Sequence, residues 1–296
     1  MAEGIKTLFS PGHTACAGCG QAIAARLVVD TAGPNTIIAN NTGCLEVFST
    51  KYPETAWGVP WIHSLFENAA AVASGIESAL KYLGIKEKVN VIAQAGDGGT
   101  ADIGLQALSG MWERGHDILY VCYDNEAYMN TGVQRSGLTP FEANTSTSQA
   151  GKQSLGNLRP KKPMPEIAVA HGIPYVATAS VGYPQDVQRK VKKALSIKGP
   201  KYIQIHVPCP LGWRHLPGLT FDIAKLAVET GLYPLIEYED GKLTQVRELL
   251  RVKPVEEYLN PQGRFKHILN SPEAVKLIQQ IADRNIEKYG LVETKA

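Results

Sequence analysis

Lys88-Val89-Asn90-Val91-Ile92-Ala93-Gln94-Ala95 runs directly into Gly96-Asp97-Gly98-Gly99, and Asp117-Ile118-Leu119-Tyr120-Val121-Cys122-Tyr123 runs directly into Asp124-Asn125. Each apolar run has the length and β-branched content of a buried strand. Between them Asp102 to Arg114 reads as a helix, ended by Gly115. A strand, a helix and a second strand of this size form a βαβ unit, which lays the two strands parallel with their carboxyl ends side by side. Open α/β sheets bind their ligands at those ends. Residues 99–124, 26 in all, separate Gly98 from Asn125, so both points fall there. Asp97 offers a carboxylate, Asn125 an amide oxygen and Ala127 a backbone carbonyl. Such hard oxygens are what Mg2+ takes, with phosphate oxygens and water completing an octahedron. Gly98 and Gly99 allow backbone N–H groups and the following helix to approach phosphates closely. A lone Gly-Asp-Gly is only a strand-to-helix turn; paired with Asn125, each after its own strand, it points to a Mg2+-diphosphate site.

Outward from this unit the pattern repeats. Thr36 to Asn40 is a short β-branched run, Asn68 to Leu83 an Ala-rich helix ended by Gly84, and Ile173 to Ala177 a strand. Pro184 to Ile197 reads as a helix and Lys201 to Val207 as another strand. Strands alternating with helices predict an α/β fold, a mostly parallel sheet flanked by helices. Residues 1–215 form one cofactor-binding domain on this reading. Residues 216–296 form a C-terminal extension: a helix over Thr220 to Thr230, a hairpin turning at Asp240-Gly241, and a final helix opened by Ser271-Pro272-Glu273 and running to about Tyr289. The polar stretch from Asn125 to Lys162 has no apolar period. A loop that long is usually functional or partner-bound.

Composition narrows the function. The chain has 296 residues, 44% of them hydrophobic, with 30 basic against 28 acidic side chains and a net charge of +2. That near balance excludes a strongly basic nucleic-acid binder and an acidic disordered tail. The start Met1-Ala2-Glu3-Gly4-Ile5-Lys6 has no signal-peptide pattern, and no membrane-length apolar run is present. The expectation is a soluble cytoplasmic protein, where structural disulfides are rare. The five cysteines therefore need another role. Cys122, inside a strand, reads as a core residue. Cys16 and Cys19 form a C-x2-C, followed by Cys44 and the remote Cys209 in Pro208-Cys209-Pro210. A redox pair, a zinc site and an iron–sulfur cluster all remain open on spacing alone. The basic runs Arg189-Lys190-Val191-Lys192-Lys193 and Arg159-Pro160-Lys161-Lys162 read as solvated faces.

With both features on one chain, the sequence resembles the beta subunits of 2-oxoacid:ferredoxin oxidoreductases, those of the pyruvate type (pyruvate synthase) above the others. The Gly-Asp-Gly and Asn pairing is also the signature of thiamine-diphosphate enzymes, with Asp124 standing where many of them carry a second Asn. The resemblance rests on Gly12-His13-Thr14-Ala15-Cys16-Ala17-Gly18-Cys19-Gly20, Asn41-Thr42-Gly43-Cys44-Leu45-Glu46, Tyr52-Pro53-Glu54-Thr55-Ala56-Trp57 and Pro60-Trp61-Ile62-His63. It continues through Glu67-Asn68-Ala69-Ala70, Gly96-Asp97-Gly98-Gly99-Thr100-Ala101-Asp102-Ile103-Gly104, Tyr123-Asp124-Asn125-Glu126-Ala127-Tyr128-Met129-Asn130-Thr131-Gly132 and Pro208-Cys209-Pro210.

The resemblance implies a PP-type thiamine-diphosphate-binding domain. It implies that Cys16, Cys19, Cys44 and Cys209 hold one four-iron, four-sulfur (4Fe-4S) cluster, and that Asp97, Asn125 and the Ala127 carbonyl bind Mg2+. Thr42, Gly43 and Cys44 are expected to run along the thiamine diphosphate with Gly96, Gly98, Gly99, Met129 and Thr131; Asn130 is expected near the reacting centre. His63, also a catalytic candidate, and Glu67 fall in a pocket-lining segment. The reaction implied is oxidative decarboxylation of a 2-oxoacid, most closely pyruvate, with coenzyme A and ferredoxin, and it is reversible. An alpha subunit is expected to supply the activating glutamate, alongside gamma and delta (ferredoxin-like) subunits or fused equivalents. Oxalate, 2-oxoisovalerate, 2-oxoglutarate and phenylglyoxylate remain alternative substrates. A non-redox thiamine decarboxylase or ligase subunit with a structural zinc is the alternative from another class.

Overall fold

The apolar runs become the inner strands of one eight-stranded sheet. The computed structural model describes residues 7–51, 53–152 and 154–293. The Met1–Lys6 start and Tyr52 of the family motif lie outside the described residues. The strands are β1 (Thr36–Asn41), β2 (Trp61–Ser64), β3 (Asn90–Gly96), β4 (Leu119–Asp124), β5 (Tyr175–Ser180), β6 (Lys201–His206), β7 (Ile236–Glu239) and β8 (Lys242–Val246). Their order is β2-β1-β3-β4-β6-β5-β7-β8. The first six are parallel, and β7 adds antiparallel to β5. The helices are α1 (Gly20–Ala32), α2 (Cys44–Ser49), α3 (Ala69–Tyr82), α4 (Asp97–Ala101), α5 (Leu105–Glu113), α6 (Met164–Ala170), α7 (Pro184–Ser196), α8 (Pro210–Trp213), α9 (Thr220–Glu229), α10 (Val255–Leu259) and α11 (Pro272–Tyr289).

Alternation along each strand builds two core layers. Leu119, Val121 and Tyr123 of β4 pack with Val28 and Val29 of α1 and Val187 and Val191 of α7. Tyr120 and Cys122 point the other way, toward Ala73 of α3, Leu108 and Met111 of α5, and Ala168 of α6. The Cys122 thiol is thus the buried core group that its place in a strand predicts. The extension has an apolar cluster of its own, in which Ile223, Val228, Tyr258, Phe265 and Ile278 meet Trp213 and Ala143. Its hairpin turns where expected, with positive φ at both Asp240 (47°) and Gly241 (77°), so the sheet continues into the extension. Ser271 caps α11 by accepting from the Ala274 amide, 3.4 Å away.

Some boundaries differ from the expectations, each for a local reason. The strand expected over 173–177 starts at Tyr175, after Pro174, which has no N–H to give the ladder. The helix expected over 102–114 is divided. α4 starts at Asp97 itself, the chain leaves helical geometry at Asp102 (φ −111°, ψ −96°), and α5 resumes at Leu105. Asp102 is drawn out because its carboxylate accepts from the Gly137 amide (2.9 Å) and the Tyr128 hydroxyl (3.1 Å). Among the described residues the 125–162 segment contains neither helix nor strand. It packs around Asn157, whose amide nitrogen donates to three carbonyls and whose oxygen accepts from Arg135 and Arg159.

At the amino end of the sheet Asp117 receives Lys201 of β6 at 2.5 Å and Lys86 at 2.9 Å. Burial alone would raise the Asp117 carboxyl, but the two lysine hydrogen bonds outweigh it and hold it below the usual carboxylate range. A depressed folded value contributes stability above the unfolded value, about 3.9, which is lost as pH falls through the folded one. Asp117→Asn strands two buried lysines, and a cost of about 3 kcal/mol is expected at pH 7. Denaturant midpoints of variant and wild type should differ at pH 7 and draw together only below about pH 4. A gap independent of pH would contradict this account.

Candidate active site

Parallel pairing brings Gly96 level with Tyr123, so the residues after β3 and β4 leave the sheet side by side. The strand order reverses between β1 and β3, because β1 sits between β2 and β3. A crevice opens at such a switch point. The cleft there is lined by Asn41, Thr42, Gly43 and Cys44 after β1, by Gly96 to Gly99 after β3, and by Asn125 and Ala127 to Thr131 after β4. Gln21, Leu45 and Phe66 complete it.

Three polar groups meet in this cleft. One terminal atom of the Asn125 amide stands 2.9 Å from Asp97 Oδ1 and 2.8 Å from the Ala127 carbonyl. Hydrogen bonding alone puts the amide nitrogen at that point, donating to both oxygens. With a cation at the centre the oxygen faces inward. An octahedral ion with ligands at about 2.0–2.1 Å spaces neighbouring oxygens by about 2.9 Å, so the donor set fits a hard divalent ion. Asp97 is fully buried, and burial followed by the charge of Asp124 pushes its carboxyl well above the usual range, against the hydrogen bond from the Ser136 hydroxyl to Oδ2. A dication reverses that balance. Asp124 lies beside the corner, with its Oδ2 accepting from Lys161 (2.8 Å) and Gln204 (2.7 Å).

The glycines at the start of α4 are sterically required. A Cβ at Gly98 would meet the Tyr128 ring at 2.2 Å, and one at Gly99 would meet the Asn41 amide at 1.8 Å. Thr42 exchanges a 2.8 Å hydrogen bond with Nε2 of His63, which is how that exposed β2 residue reaches the cleft. Glu67 is only partly buried and does not line it.

Cys16, Cys19, Cys44 and Cys209 line a second cavity of about 160 Å³. All five cysteines are free thiols. Burial, then the neighbouring thiols, pushes Cys44 up to about 12; burial pushes Cys19 up to about 11 and Cys209 upward too. Backbone N–H groups of Gln21 and Ala22 oppose this at Cys19, and those of Gly212 and Leu211 at Cys209. Such thiols become thiolates only when a metal compensates them. Among the described residues no three His, Cys, Asp or Glu side chains converge on a single ion. Gln21, Cys44, Asn125 and Asn130 line both cavities, so the thiol chamber and the oxygen corner share a wall. A larger cavity of about 400 Å³ opens under the extension; Glu126, Lys161 and His206 line it, and it brings together no comparable donor set.

Gln21, Ser136, Lys161 and Trp213 are neighbours of the site that sequence reasoning did not single out. Gln21 alone had a signal, as it stands two residues after Cys19.

Residues 41–205 match the family model described as thiamine pyrophosphate enzyme, C-terminal TPP binding domain. The chain is similar to the pyruvate synthase subunit PorB of Methanosarcina barkeri, 60% identical over 97% of this chain and 98% of that protein. It is 49% identical to the ketoisovalerate oxidoreductase subunit VorB of Pyrococcus abyssi, over 92% of this chain and 89% of that one. Among solved structures, the 2-oxoglutarate:ferredoxin oxidoreductase from Magnetococcus marinus shares the fold: TM-score 0.55, 24% identity, 72% of this chain and 76% of that one.

Gly104 closes the α4 turn: a Cβ there would lie 2.0 Å from the Gly99 carbonyl oxygen, a backbone atom that cannot swing aside. Gly96 has open space at the same point. Gly104→Ala is expected to cost about 3 kcal/mol, roughly 6 °C in Tm, while Gly96→Ala melts as wild type. Equal melting temperatures for the two variants would show that the turn is not close-packed.

Proposed function

The chain belongs to the PorB subunits of pyruvate synthase, with the TPP-binding domain of thiamine pyrophosphate enzymes, and we propose that it is the cofactor-holding, electron-carrying half of a pyruvate:ferredoxin oxidoreductase. The coarser reading, a subunit of a thiamine-diphosphate-dependent 2-oxoacid oxidoreductase, follows from the family. The observation that carries the finer one is the shared wall: the oxygen corner and the four-thiol chamber have Gln21, Cys44, Asn125 and Asn130 in common.

Thiamine diphosphate supplies the electron sink that lets a 2-oxoacid lose carbon dioxide, and a 4Fe-4S cluster supplies one-electron transfer to ferredoxin. Asp97, Asn125 and the Ala127 carbonyl hold Mg2+ in this reading. Gly96, Gly98, Gly99 and the start of α4 receive the diphosphate. Thr42, oriented by His63, runs with Gly43 along the cofactor, and Met129, Asn130 and Thr131 border the reacting end. Cys16, Cys19, Cys44 and Cys209 hold the cluster. Four thiols around one chamber beside the cleft support a cluster, and the iron content decides between it and a single zinc.

Among the described residues that line the cleft, Asp97 is the only carboxylate. This supports an activating glutamate supplied by an alpha subunit. Segments bearing the site carry exposed apolar side chains, Val47, Ile62, Leu65, Leu211 and Leu216, which suits burial by a partner. Gamma and delta subunits, ferredoxin and coenzyme A complete the reaction, and the activity is reversible. Pyruvate is the first substrate to test, and the VorB relative makes 2-oxoisovalerate the second.

Anaerobically purified protein is expected to be brown, with about four irons and a reducible paramagnetic signal. Colourless protein with one zinc would overturn the ferredoxin-linked reading. Asp97→Ala should abolish Mg2+-dependent thiamine diphosphate binding and leave the iron content intact. Loss of both together would mean Asp97 is structural. The isolated chain should be inactive until an alpha subunit is added.

A further inference from the structure

The tripeptide Asn125-Glu126-Ala127 has an unusual task. The Asn125 side chain and the Ala127 carbonyl, two residues apart, must face one point. The backbone manages this through Glu126, which has a φ of 70°. Few residues other than glycine and asparagine take that conformation readily, and a long charged side chain there needs a compensating hold. The two carbonyls before that of Ala127 are tied away from the cleft. The Asn125 carbonyl accepts from Trp213 Nε1 at 2.8 Å, and the Glu126 carbonyl accepts from the Thr139 hydroxyl at 2.7 Å. The Glu126 carboxylate is buried: Lys161 Nζ donates to Oε1 at 2.7 Å, and Arg264 Nη2 stands 2.5 Å from Oε2 as an ion pair without an aligned hydrogen bond. Among the described residues the Ala127 carbonyl has no hydrogen-bond partner other than the Asn125 amide and is left for the corner.

We propose that Glu126 is a positioning residue for the cation corner: gripped from behind by Lys161 and Arg264, it fixes the left-handed turn that aims the Asn125 oxygen and the Ala127 carbonyl at Asp97. The grip is rigid because Arg264 is itself held. It donates to Gln262 Oε1 (2.9 Å) and to the Tyr258 hydroxyl (3.1 Å), and its guanidinium lies 3.7 Å from the centre of a Trp213 ring. That tryptophan is the donor on the Asn125 carbonyl, so α8 and the extension together hold both sides of the turn. Buried charge is balanced locally: Asp124 and Glu126 face Lys161 and Arg264, leaving Asp97 for the cation. The inference rests on the cation site proposed above.

The test uses the full chain and Mn2+ as a paramagnetic probe for the divalent ion. Glu126→Gln keeps the shape and removes the charge. Glu126→Gln with Arg264→Gln removes both charges of that pair, so neither is stranded. Each folded variant, with Tm and iron content near wild type, is expected to bind Mn2+ about ten- to a hundredfold more weakly, as loss of a group orienting metal ligands commonly does. In the assembled complex, activity should return at high Mg2+, with kcat restored and the half-saturating Mg2+ concentration raised. A folded variant that binds Mn2+ as tightly as wild type overturns the proposal. So does failure of both variants to fold, which would make Glu126 a core residue only. Asp97→Asn in the same titration separates the two claims. If it binds Mn2+ normally, the cation site itself is misplaced; if it loses binding while the Glu126 variants keep it, only the positioning role falls.

Discussion

The Asn125 side-chain amide, held within 3 Å of both Asp97 Oδ1 and the Ala127 carbonyl, is the constraint around which the rest of this protein is arranged. This corner is costly without a partner for its charge, since burial penalises the ionised Asp97 carboxylate. It exists because the sheet dictates it. Parallel pairing of β3 and β4 forces the two chain exits to the same end, and hydrogen-bonded register puts them level. The glycines after β3 let the chain turn into α4 without a side chain between the corner and its surroundings. A divalent cation would offset the Asp97 charge and draw the Asn125 oxygen inward, so the fold supplies a frame that an ion completes.

The parts that surround this corner make sense as compensation. The 125–162 segment looks unstructured by pattern, yet it returns Ser136 to Asp97 and Lys161 to Asp124. The extension returns Arg264 to Glu126, and α8 between them returns Trp213 to the Asn125 carbonyl. These contacts are buried, where an unpaired charge is expensive and a paired one costs far less. His206, enclosed by this group, is held to about 3, first by burial, and so stays neutral. The extension therefore does more than lengthen the sheet; it brings a cation to the back of the site.

This division explains what was legible in the sequence. The strands, their parallel sense and the placing of Asp97 and Asn125 are written locally, in apolar runs that end in glycine or acid. The hairpin at Asp240-Gly241 and the cap at Ser271 are equally local signals. Lys161, Trp213 and Arg264 are not, because each meets its partner across 35 or more residues, and no short-range pattern marks them. Arg159-Pro160-Lys161-Lys162 reads as a solvated basic run, and three-quarters of the Lys161 side chain is in fact covered. The break at Asp102 was hidden for the same reason: its causes, Tyr128 and Gly137, lie well downstream.

The thiols add a second constraint that points the same way. Cys19 stands immediately before α1, Cys44 opens α2 and Cys209 precedes α8, so three separate chain segments must be docked before the chamber exists. Docking is achieved by close backbone approach: a Cβ at Gly20 would meet the Pro208 carbonyl oxygen at 2.8 Å, and one at Gly18 would meet that of Pro217 at 2.4 Å. The N-terminal segment is thereby locked onto the chain around Cys209. Cys44 follows Thr42 and Gly43 directly, so one short run leaving β1 serves both the cleft and the chamber. A chain that moves that run for one site moves it for the other. Coupling between the two sites is then a property of a shared backbone, whatever chemistry occupies each.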